Sequence, residues 1–455
     1  MAEPLTIVSN RVPDLSGRRA GGLAVALRSV LRKRGGVWFG WNGQVLDETD
    51  TTPVVSELDG FELVTIGLSR EDVEEYYHGA GNRILWPLFH NRADLIQIYS
   101  RFYDAYRRVN RRIAECLADL VPDGGTVWVQ DFHLIPLGAE LRSLGLRCRI
   151  GFFLHIPFPP YDLMRTLSWH EEIARWLAQY DLVGFQARRD LYNFHNYLER
   201  RFGAEIRGDQ CRFEGLSCRT GVFPVTIDTR AWTSMANAPG FVTETDTMHR
   251  ELNPPPYSIV GVERLDYTKG LLQRLLAVEE LLVHHDRFRG KACLYQVVAP
   301  SRGEVPEYGH LRERLDAVSG RINSSYADFG WAPVHYLYRT FTQQELAALY
   351  RVCRVGLVTS LIDGMNLVAQ EYVAAQNPED PGVLVLSKFT GAAEMLDGAI
   401  LVNPYDVEAT SNALRDAFEM DASERMDRWK RMCDCLEQYD VHGWASRFLS
   451  ELPAT

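Results

Sequence analysis

Two fixed cations stand five residues apart in the run Glu263-Arg264-Leu265-Asp266-Tyr267-Thr268-Lys269-Gly270. The run follows an apolar stretch of strand length and opens a helical one, so Arg264 and Lys269 flank a single turn. A guanidinium and an ammonium aimed at one point suit a diphosphate, and a departing nucleoside diphosphate needs such charge. A salt-bridged surface turn would use the same residues. Further along, Thr359-Ser360-Leu361-Ile362-Asp363-Gly364-Met365-Asn366 ends another strand in a glycine loop leading into a helix near Asn366. The first N–H groups of such a helix have no partner within it and can serve a sugar hydroxyl or a phosphate. Glu371, one turn in, offers two oxygens to the two hydroxyls of a ribose, or simply complements the helix dipole.

The first half of the chain offers a different set. Ser9-Asn10-Arg11 ends a strand, and Gly21-Gly22 begins a helix. Arg11 supplies a positive charge, and glycines let a ligand approach the backbone, although a pair of glycines also makes an ordinary tight turn. Asp131 and His155 each follow an apolar run, in Trp128–His133 and Phe153–Pro159. Their side chains suit sugar hydroxyls, and a structural role for either histidine or aspartate stands beside that reading. Tyr76-Tyr77 and Trp86 are core residues by default; in a cleft, Trp86 stacks on a sugar ring while Tyr77 reaches a phosphate. Gly79-Ala80-Gly81 lacks both a third glycine and a preceding strand in this reading, so the dinucleotide fingerprint is absent.

These residues need elements to hold them. Strand-length apolar runs at Leu5–Val8, Val37–Trp41, Val127–Asp131, Ile150–His155 and Leu182–Gln186 alternate with helical patterns at Gly22–Arg34, Ala105–Leu120, Leu134–Leu144 and Asp190–Phe202. The second half repeats the alternation, with strands at Ser258–Val262, Leu294–Ala299, His335–Tyr338, Val355–Thr359, Val383–Leu386 and Ile400–Val402. Its helices fall at Leu271–Val283, Leu311–Val318, Glu345–Val352, Leu367–Ala375 and Ala409–Met420, and Ser423–Leu452 is helical in pattern. Runs apolar throughout belong to strands covered on both faces, which predicts an α/β chain of two doubly wound parallel sheets. The proline-rich stretch Ala236–Pro256 places the boundary, with a helix around Thr245–Leu252 as the other reading of its middle. That divides the chain into domains at 1–236 and 237–440.

Composition narrows the function. At 455 residues the chain suits two domains, and 46% apolar with 24% charged residues is globular. A net charge of −11 argues against nucleic acid, while leaving room for a local phosphate site. The eight cysteines show no zinc spacing, and Cys433 and Cys435 form only a C-x-C. No metal is expected from these patterns. Neither a signal peptide nor an 18-residue apolar span is legible, so a cytoplasmic protein without membrane contact is expected.

The combination resembles the bacterial trehalose-6-phosphate synthases, retaining glycosyltransferases of family 20. The matching runs are SNR at Ser9–Arg11, GGLAVAL at Gly21–Leu27, WFGW at Trp38–Trp41, YY at Tyr76-Tyr77, LWP at Leu85–Pro87, the D-x-H of Asp131–His133 and GFFLHIPFP at Gly151–Pro159. They continue in order with VERLDYTKG at Val262–Gly270, SRGE at Ser301–Glu304, DGMNLVAQEYVAAQ at Asp363–Gln376, VLVLSKFTGAA at Val383–Ala393 and VNPYD at Val402–Asp406. The resemblance implies the GT-B fold, two Rossmann-like domains facing across a cleft, with residues 441–455 crossing back to the first domain. It implies transfer of glucose from a nucleoside-diphosphate glucose to glucose 6-phosphate, without a cofactor, by a homo-oligomer. Arg11, Tyr77, Trp86 and Arg302 would then hold the acceptor and Asp131 its hydroxyls. Gly22, His155, Arg264, Lys269, Asp363, Gly364, Met365, Asn366, Leu367, Val368 and Glu371 would hold the donor, with Asp131, His155, Arg264 and Lys269 at the chemistry. Such enzymes look to substitute on one face, the leaving phosphate taking the proton, which fits the lack of a glycosidase carboxylate pair. Ile362 and Gln370 depart from relatives that carry Arg and Lys there, which opens the choice of nucleotide. GDP- or ADP-glucose donors, another phosphorylated acceptor and a non-catalytic sugar-phosphate sensor are the alternatives.

Overall fold

The computed structural model describes residues 4–12, 22–47, 52–236, 238–301 and 306–453. Arg302 and Gly21 lie outside the described residues. The chain divides into two compact units, Met1–Val225 with Val441–Thr455, and Thr226–Asp440.

Among the described residues of the first unit, ten strands form one sheet. They are β1 (Leu5–Arg11), β2 (Val37–Leu46), β3 (Val54–Leu58), β4 (Phe61–Ser69), β5 (Thr126–Gln130), β6 (Arg149–Leu154), β7 (Leu182–Phe185), β8 (Glu205–Arg207), β9 (Gln210–Phe213) and β10 (Leu216–Val222). Their order is β3-β4-β2-β1-β5-β6-β7-β10-β9-β8. Pairing is parallel from β4 through to β10; helices make most of the crossovers, while β2 reaches β4 by way of the edge strand β3. Both edges turn antiparallel, β3 against β4 and the β8–β9–β10 meander. The chain winds outward from β1 through β2 to β4, then from β5 the other way. The switch point therefore lies between the C-terminal ends of β1 and β5, where open α/β sheets bind ligands.

The second unit has six described strands, all parallel: β11 (Tyr257–Arg264), β12 (Ala292–Ala299), β13 (Val334–Leu337), β14 (Val355–Val358), β15 (Val383–Ser387) and β16 (Ile400–Val402). Their order β13-β12-β11-β14-β15-β16 puts the switch point between β11 and β14. The runs that end there, Ile259–Val262 and Val355–Val358, are buried on both faces.

The segment 226–236, expected in the first domain, packs with the second unit. Thr226 hydrogen-bonds the Tyr439 carbonyl and Thr229 donates to that of Leu436 at 3.1 Å, both near the end of the Ala422–Gln438 helix. The stretch read as a possible linker, Ala236–Pro256, holds the helix Pro239–Leu252, as the other reading of its middle had it, and a second helix, Thr229–Ala236, ends at its first residue. Arg351 donates to the Ala236 carbonyl at 3.0 Å and lies over the Phe241 ring.

Helix Val441–Glu451 completes the core of the first unit. Trp444 and Phe448 are fully buried, and Phe448 stacks on Trp128 of β5 at 4.9 Å. A Cβ at Gly151 of β6 would sit 2.6 Å from the Phe448 ring, and one at Gly184 of β7 would sit 2.7 Å away. The two glycines thus open a slot in the sheet face that the phenyl ring fills. Among the described residues, no helix is long and apolar enough to cross a membrane.

Candidate functional site

Candidate residues gather at both switch points, and each group is described within its own unit. In the first unit, β1 ends in Ser9-Asn10-Arg11. Ser9 accepts from the Trp38 indole at 2.9 Å, and Asn10 accepts from the Tyr76 hydroxyl at 2.6 Å. Arg11 is exposed and lies over the Trp41 ring, 5.4 Å from its centroid. Trp41 meets Tyr77 edge-on at 5.5 Å, Tyr77 stacks on His133 at 5.7 Å, and His133 abuts Phe132, which packs against Trp86. Arg11, Tyr77 and Trp86 are thereby joined in one continuous row of rings. Trp86 itself is only 6% exposed and packs closely on His90.

The row depends on an unusual element. Tyr76 and Tyr77 sit on a π-helix, Val73–Leu85, which leads into Trp86. Its wider turn is rare and recurs at functional sites. Its start is pinned by Asp72, 1% exposed, which accepts from Arg112 at 2.6 Å and Arg108 at 2.9 Å. Gly79 and Gly81 serve packing here: a Cβ on Gly79 would run into the Phe102 ring, and one on Gly81 would press on His133. A strand, β4, does precede this Gly-Ala-Gly, unread from the sequence, but no phosphate-type turn joins them.

Asp131 and His155 do come together. The Asp131 carboxylate accepts the His155 backbone N–H at 3.2 Å. Asp131 adopts φ 75°, ψ 168°, a region nearly confined to glycine that costs on the order of 1–3 kcal/mol. Its own N–H donates to the Phe153 carbonyl at 2.8 Å, and that bond holds the turn in place. Such strain collects where a side chain must be aimed. The His155 ring is bonded at both nitrogens, to Gln130 and to Gln186. Burial pushes its pKa down to about 3, so the ring is neutral. Gly22 is the exposed first residue of the Gly22–Arg34 helix.

In the second unit the turn after β11 and the loop after β14 are sewn together. Leu361 N–H donates to the Thr268 carbonyl at 2.7 Å, and Thr359 Oγ1 to that of Gly270 at 2.9 Å. Gly270 has φ 62°, and a Cβ there would overlap the Thr359 carbonyl, so this turn needs glycine. The loop is fastened on its far side by Asp363 N–H to the Phe389 carbonyl at 3.1 Å and Ala392 N–H to that of Met365 at 2.9 Å. Gly364 and Met365 are buried. Asn366, at φ 85°, caps the next helix by accepting from Ala369 N–H at 3.0 Å. The first two helical positions, Leu367 and Val368, contribute N–H groups that an α-helix leaves without internal partners.

The charges follow from this frame. Lys269 Nζ lies 2.5 Å from Asp363 Oδ2, and Asn366 Nδ2 reaches the same oxygen at 3.1 Å. Burial opposes the Lys269 charge, but Asp363 and Glu263 outweigh it and raise its pKa. Glu263, missed as a candidate, is 6% exposed and accepts from Asn366 at 3.0 Å. Behind it lies Arg274, fully buried, 3.9 Å from Glu263 and pushed down to about 10 by burial. Arg264 is half-exposed, 3.9 Å from Asp266. Glu371 accepts from the Tyr350 hydroxyl at 3.3 Å, and burial raises it to about 8.

Of the two departures noted in the sequence, Gln370 has a backbone partner and Ile362 is buried in the loop. Gln370 is fully buried, and its Oε1 accepts the Ile227 N–H at 3.1 Å. Ile362 is 9% exposed. Gln370 is committed to the backbone of its own unit. Trp41 belongs with the acceptor-side candidates, and its place in WFGW beside Arg11 was the available signal. Among the described residues no group of three or more His, Cys, Asp or Glu is arranged to hold a metal ion.

Comparison with known proteins gives a consistent picture. The model of glycosyltransferase family 20 matches residues 9–454. A trehalose-6-phosphate synthase of Sinorhizobium fredii is 45% identical over 457 residues, covering 99% of this chain and 98% of that protein. A crystal structure of an α,α-trehalose-phosphate synthase (UDP-forming) from Burkholderia xenovorans, in complex with glucose-6-phosphate, is 40% identical with a TM-score of 0.94, covering 98% and 99% of the two chains. An E. coli structure bound with UDP-2-fluoro glucose is 39% identical with a TM-score of 0.93, covering 98% of each.

Proposed function

The chain belongs to glycosyltransferase family 20, and on that premise we propose that it transfers glucose from UDP-glucose to glucose 6-phosphate, giving α,α-trehalose 6-phosphate and UDP. The observation that carries this reading is the charge arrangement after β11. Arg264 stands exposed at the mouth of the turn, while Lys269 is held by Asp363 below it. Two cations converging there neutralise a diphosphate as it departs, in the way preorganised charge stabilises a transition state.

The second unit holds the donor. Glu371 takes the ribose, Arg264 and Lys269 the diphosphate, and Asp363 the glucose, with backbone N–H groups of Gly364, Met365, Asn366, Leu367 and Val368 around it. The first unit holds the acceptor: Arg11, Tyr77, Trp86 and Arg302 at its phosphate end, Asp131 at its hydroxyls. His155 contacts the donor glucose, and Gly22 assists. The acceptor hydroxyl attacks the anomeric carbon from the face the diphosphate leaves. The C–O bond to UDP breaks, the new glycosidic bond forms with retention, and a leaving phosphate oxygen accepts the hydroxyl proton. The protein's cations supply the charge. Cytoplasmic location and association of identical copies belong to the same reading.

A donor panel tests it: UDP-, GDP- and ADP-glucose, each with glucose 6-phosphate, with products identified by mass. Trehalose 6-phosphate should form fastest from UDP-glucose; a different preferred donor corrects the nucleotide, and no disaccharide phosphate from any donor refutes the function.

A further inference from the structure

A backbone N–H can only donate, and one such group decides the chemistry of His155. Val225 N–H, at the end of the first unit, donates to Gln186 Oε1 at 2.9 Å. That contact orients the amide, because the reverse orientation would set the NH2 against the N–H. Gln186 Nε2 therefore faces His155 Nδ1, at 3.1 Å. An amide NH2 also only donates, so Nδ1 accepts, and the one proton of the neutral ring sits on Nε2. Nε2–H donates to Gln130 Oε1 at 2.9 Å, and Gln130 is oriented the same way by its own NH2 facing the Trp128 carbonyl at 3.4 Å. Both glutamines are buried, at 0% and 2% exposure. The remaining ring contacts are apolar, Phe153 at 4.6 Å and Trp444 at 6.0 Å. The Asp131 carboxylate meets the His155 backbone N–H at 3.2 Å.

We propose that Gln186 is a positioning residue that uses the backbone of the connector between the two units to fix the tautomer and ring orientation of His155. The inference rests on the reading that His155 meets the donor sugar. Both ring nitrogens are thereby committed, Nδ1 to the Gln186 amide and Nε2–H to Gln130, so neither offers a basic lone pair and His155 takes no proton from a sugar hydroxyl. The connector is gripped a second time two residues later, where Ile227 N–H donates to Gln370 Oε1, on the helix that carries Glu371. Each unit thus fastens its own end of the connecting segment through a glutamine carbonyl, and Gln186 alone passes that grip to His155.

Ring nitrogens of histidine-labelled protein report the tautomer directly. His155 is assigned with His155→Gln. In the unaltered protein we expect Nδ1 bare and Nε2 protonated throughout about pH 5 to 8, with no titration in that window. Gln186→Glu keeps the acceptor for Val225 but turns a second oxygen to Nδ1, so the ring must supply the proton. Both nitrogens should then be protonated near neutrality, with kcat down at least about tenfold and KM for glucose 6-phosphate within about twofold. Gln186→Met, which neither donates nor accepts, leaves Gln130 to keep the proton on Nε2 but removes the partner of Nδ1, and should give the unaltered tautomer with a looser ring and an intermediate kcat. A proton on Nδ1 of the unaltered protein overturns the proposal, whether or not the variants fold. An unchanged ring pattern or unchanged kcat in folded Gln186→Glu overturns it too. Absence of trehalose 6-phosphate from the unaltered enzyme is a separate result, which refutes the functional reading instead.

Discussion

A single carboxylate oxygen, Oδ2 of Asp363, collects Lys269 Nζ at 2.5 Å, and it is shared with Asn366 and Ser360 at 3.1 and 3.3 Å. The side chains of the pair are 11% and 13% exposed, so each neutralises a charge that solvent barely reaches. In the donor half-site proposed above, the cation is therefore held in place in advance, and on that reading sugar and diphosphate each take over part of an existing contact.

Asp363→Asn should expose that dependence. It removes the counter-charge from a buried ammonium, a loss of about 3 kcal/mol when a buried pair is broken on one side. We expect a lower Tm and a fall in kcat of roughly a hundredfold or more. Thermal unfolding and steady-state kinetics check both; a variant with unaltered Tm means that Lys269 finds water instead.

Arg264→Ala should separate chemistry from stability. The side chain is 48% exposed, so the fold should change by no more than about 0.5 kcal/mol. Turnover should nonetheless fall on the order of 100- to 1000-fold, the usual cost of losing one preorganised charge at a leaving group. Unchanged turnover would remove the diphosphate role of Arg264.

Glu371 makes nucleotide binding depend on pH. Burial raises it to about 8, so in the free protein it is protonated below that pH. Ribose hydroxyls donating to it favour the carboxylate, and binding should expel a proton. Affinity for UDP should rise with pH up to about 8 and level off above, and Glu371→Gln should flatten the profile. Calorimetry in two buffers of different ionisation enthalpy counts the proton. For folding the sign is opposite: the unfolded carboxyl ionises first, so this group's contribution to stability is lost as pH climbs towards 8.

Arg302→Ala should weaken glucose 6-phosphate far more than glucose, by about tenfold or more in KM. This follows from the SRGE motif alone. Equal losses for both sugars would deny Arg302 the phosphate.

Gly184→Ala should destabilise the first unit. The added Cβ would stand 2.7 Å from Phe448 and 2.8 Å from Phe153, neither of which has room to move. Overpacking of this kind costs about 1–3 kcal/mol, read as a lower denaturation midpoint.

Much of this was legible because parallel strands announce themselves. Ile259–Val262 and Val355–Val358 are apolar throughout, and the residues just past them had to lie at a sheet's C-terminal edge. Helices Gly22–Arg34 and Leu367–Ala375 run over the residues expected. The antiparallel edges were missed: β3 leaves Val54 and Val55 exposed, and β8 is three residues long, so neither shows a buried pattern. The π-helix has no signature in composition; its glycines are explained by Phe102 and His133, which come from elsewhere in the chain. Residues 226–236 looked like the end of the first domain because their partners, Gln370, Leu436 and Tyr439, come more than a hundred positions later.

The ring of Phe448 in its glycine slot sets an order of events during synthesis. Residues 441–451 leave the ribosome only after all of Thr226–Asp440. Until then β5, β6 and β7 present a bare groove where Trp444 and Phe448 will sit. The half translated first is therefore the half finished last, and the nascent chain carries an open hydrophobic seam through translation of the other half. A short C-terminal peptide supplied in trans should be able to close it.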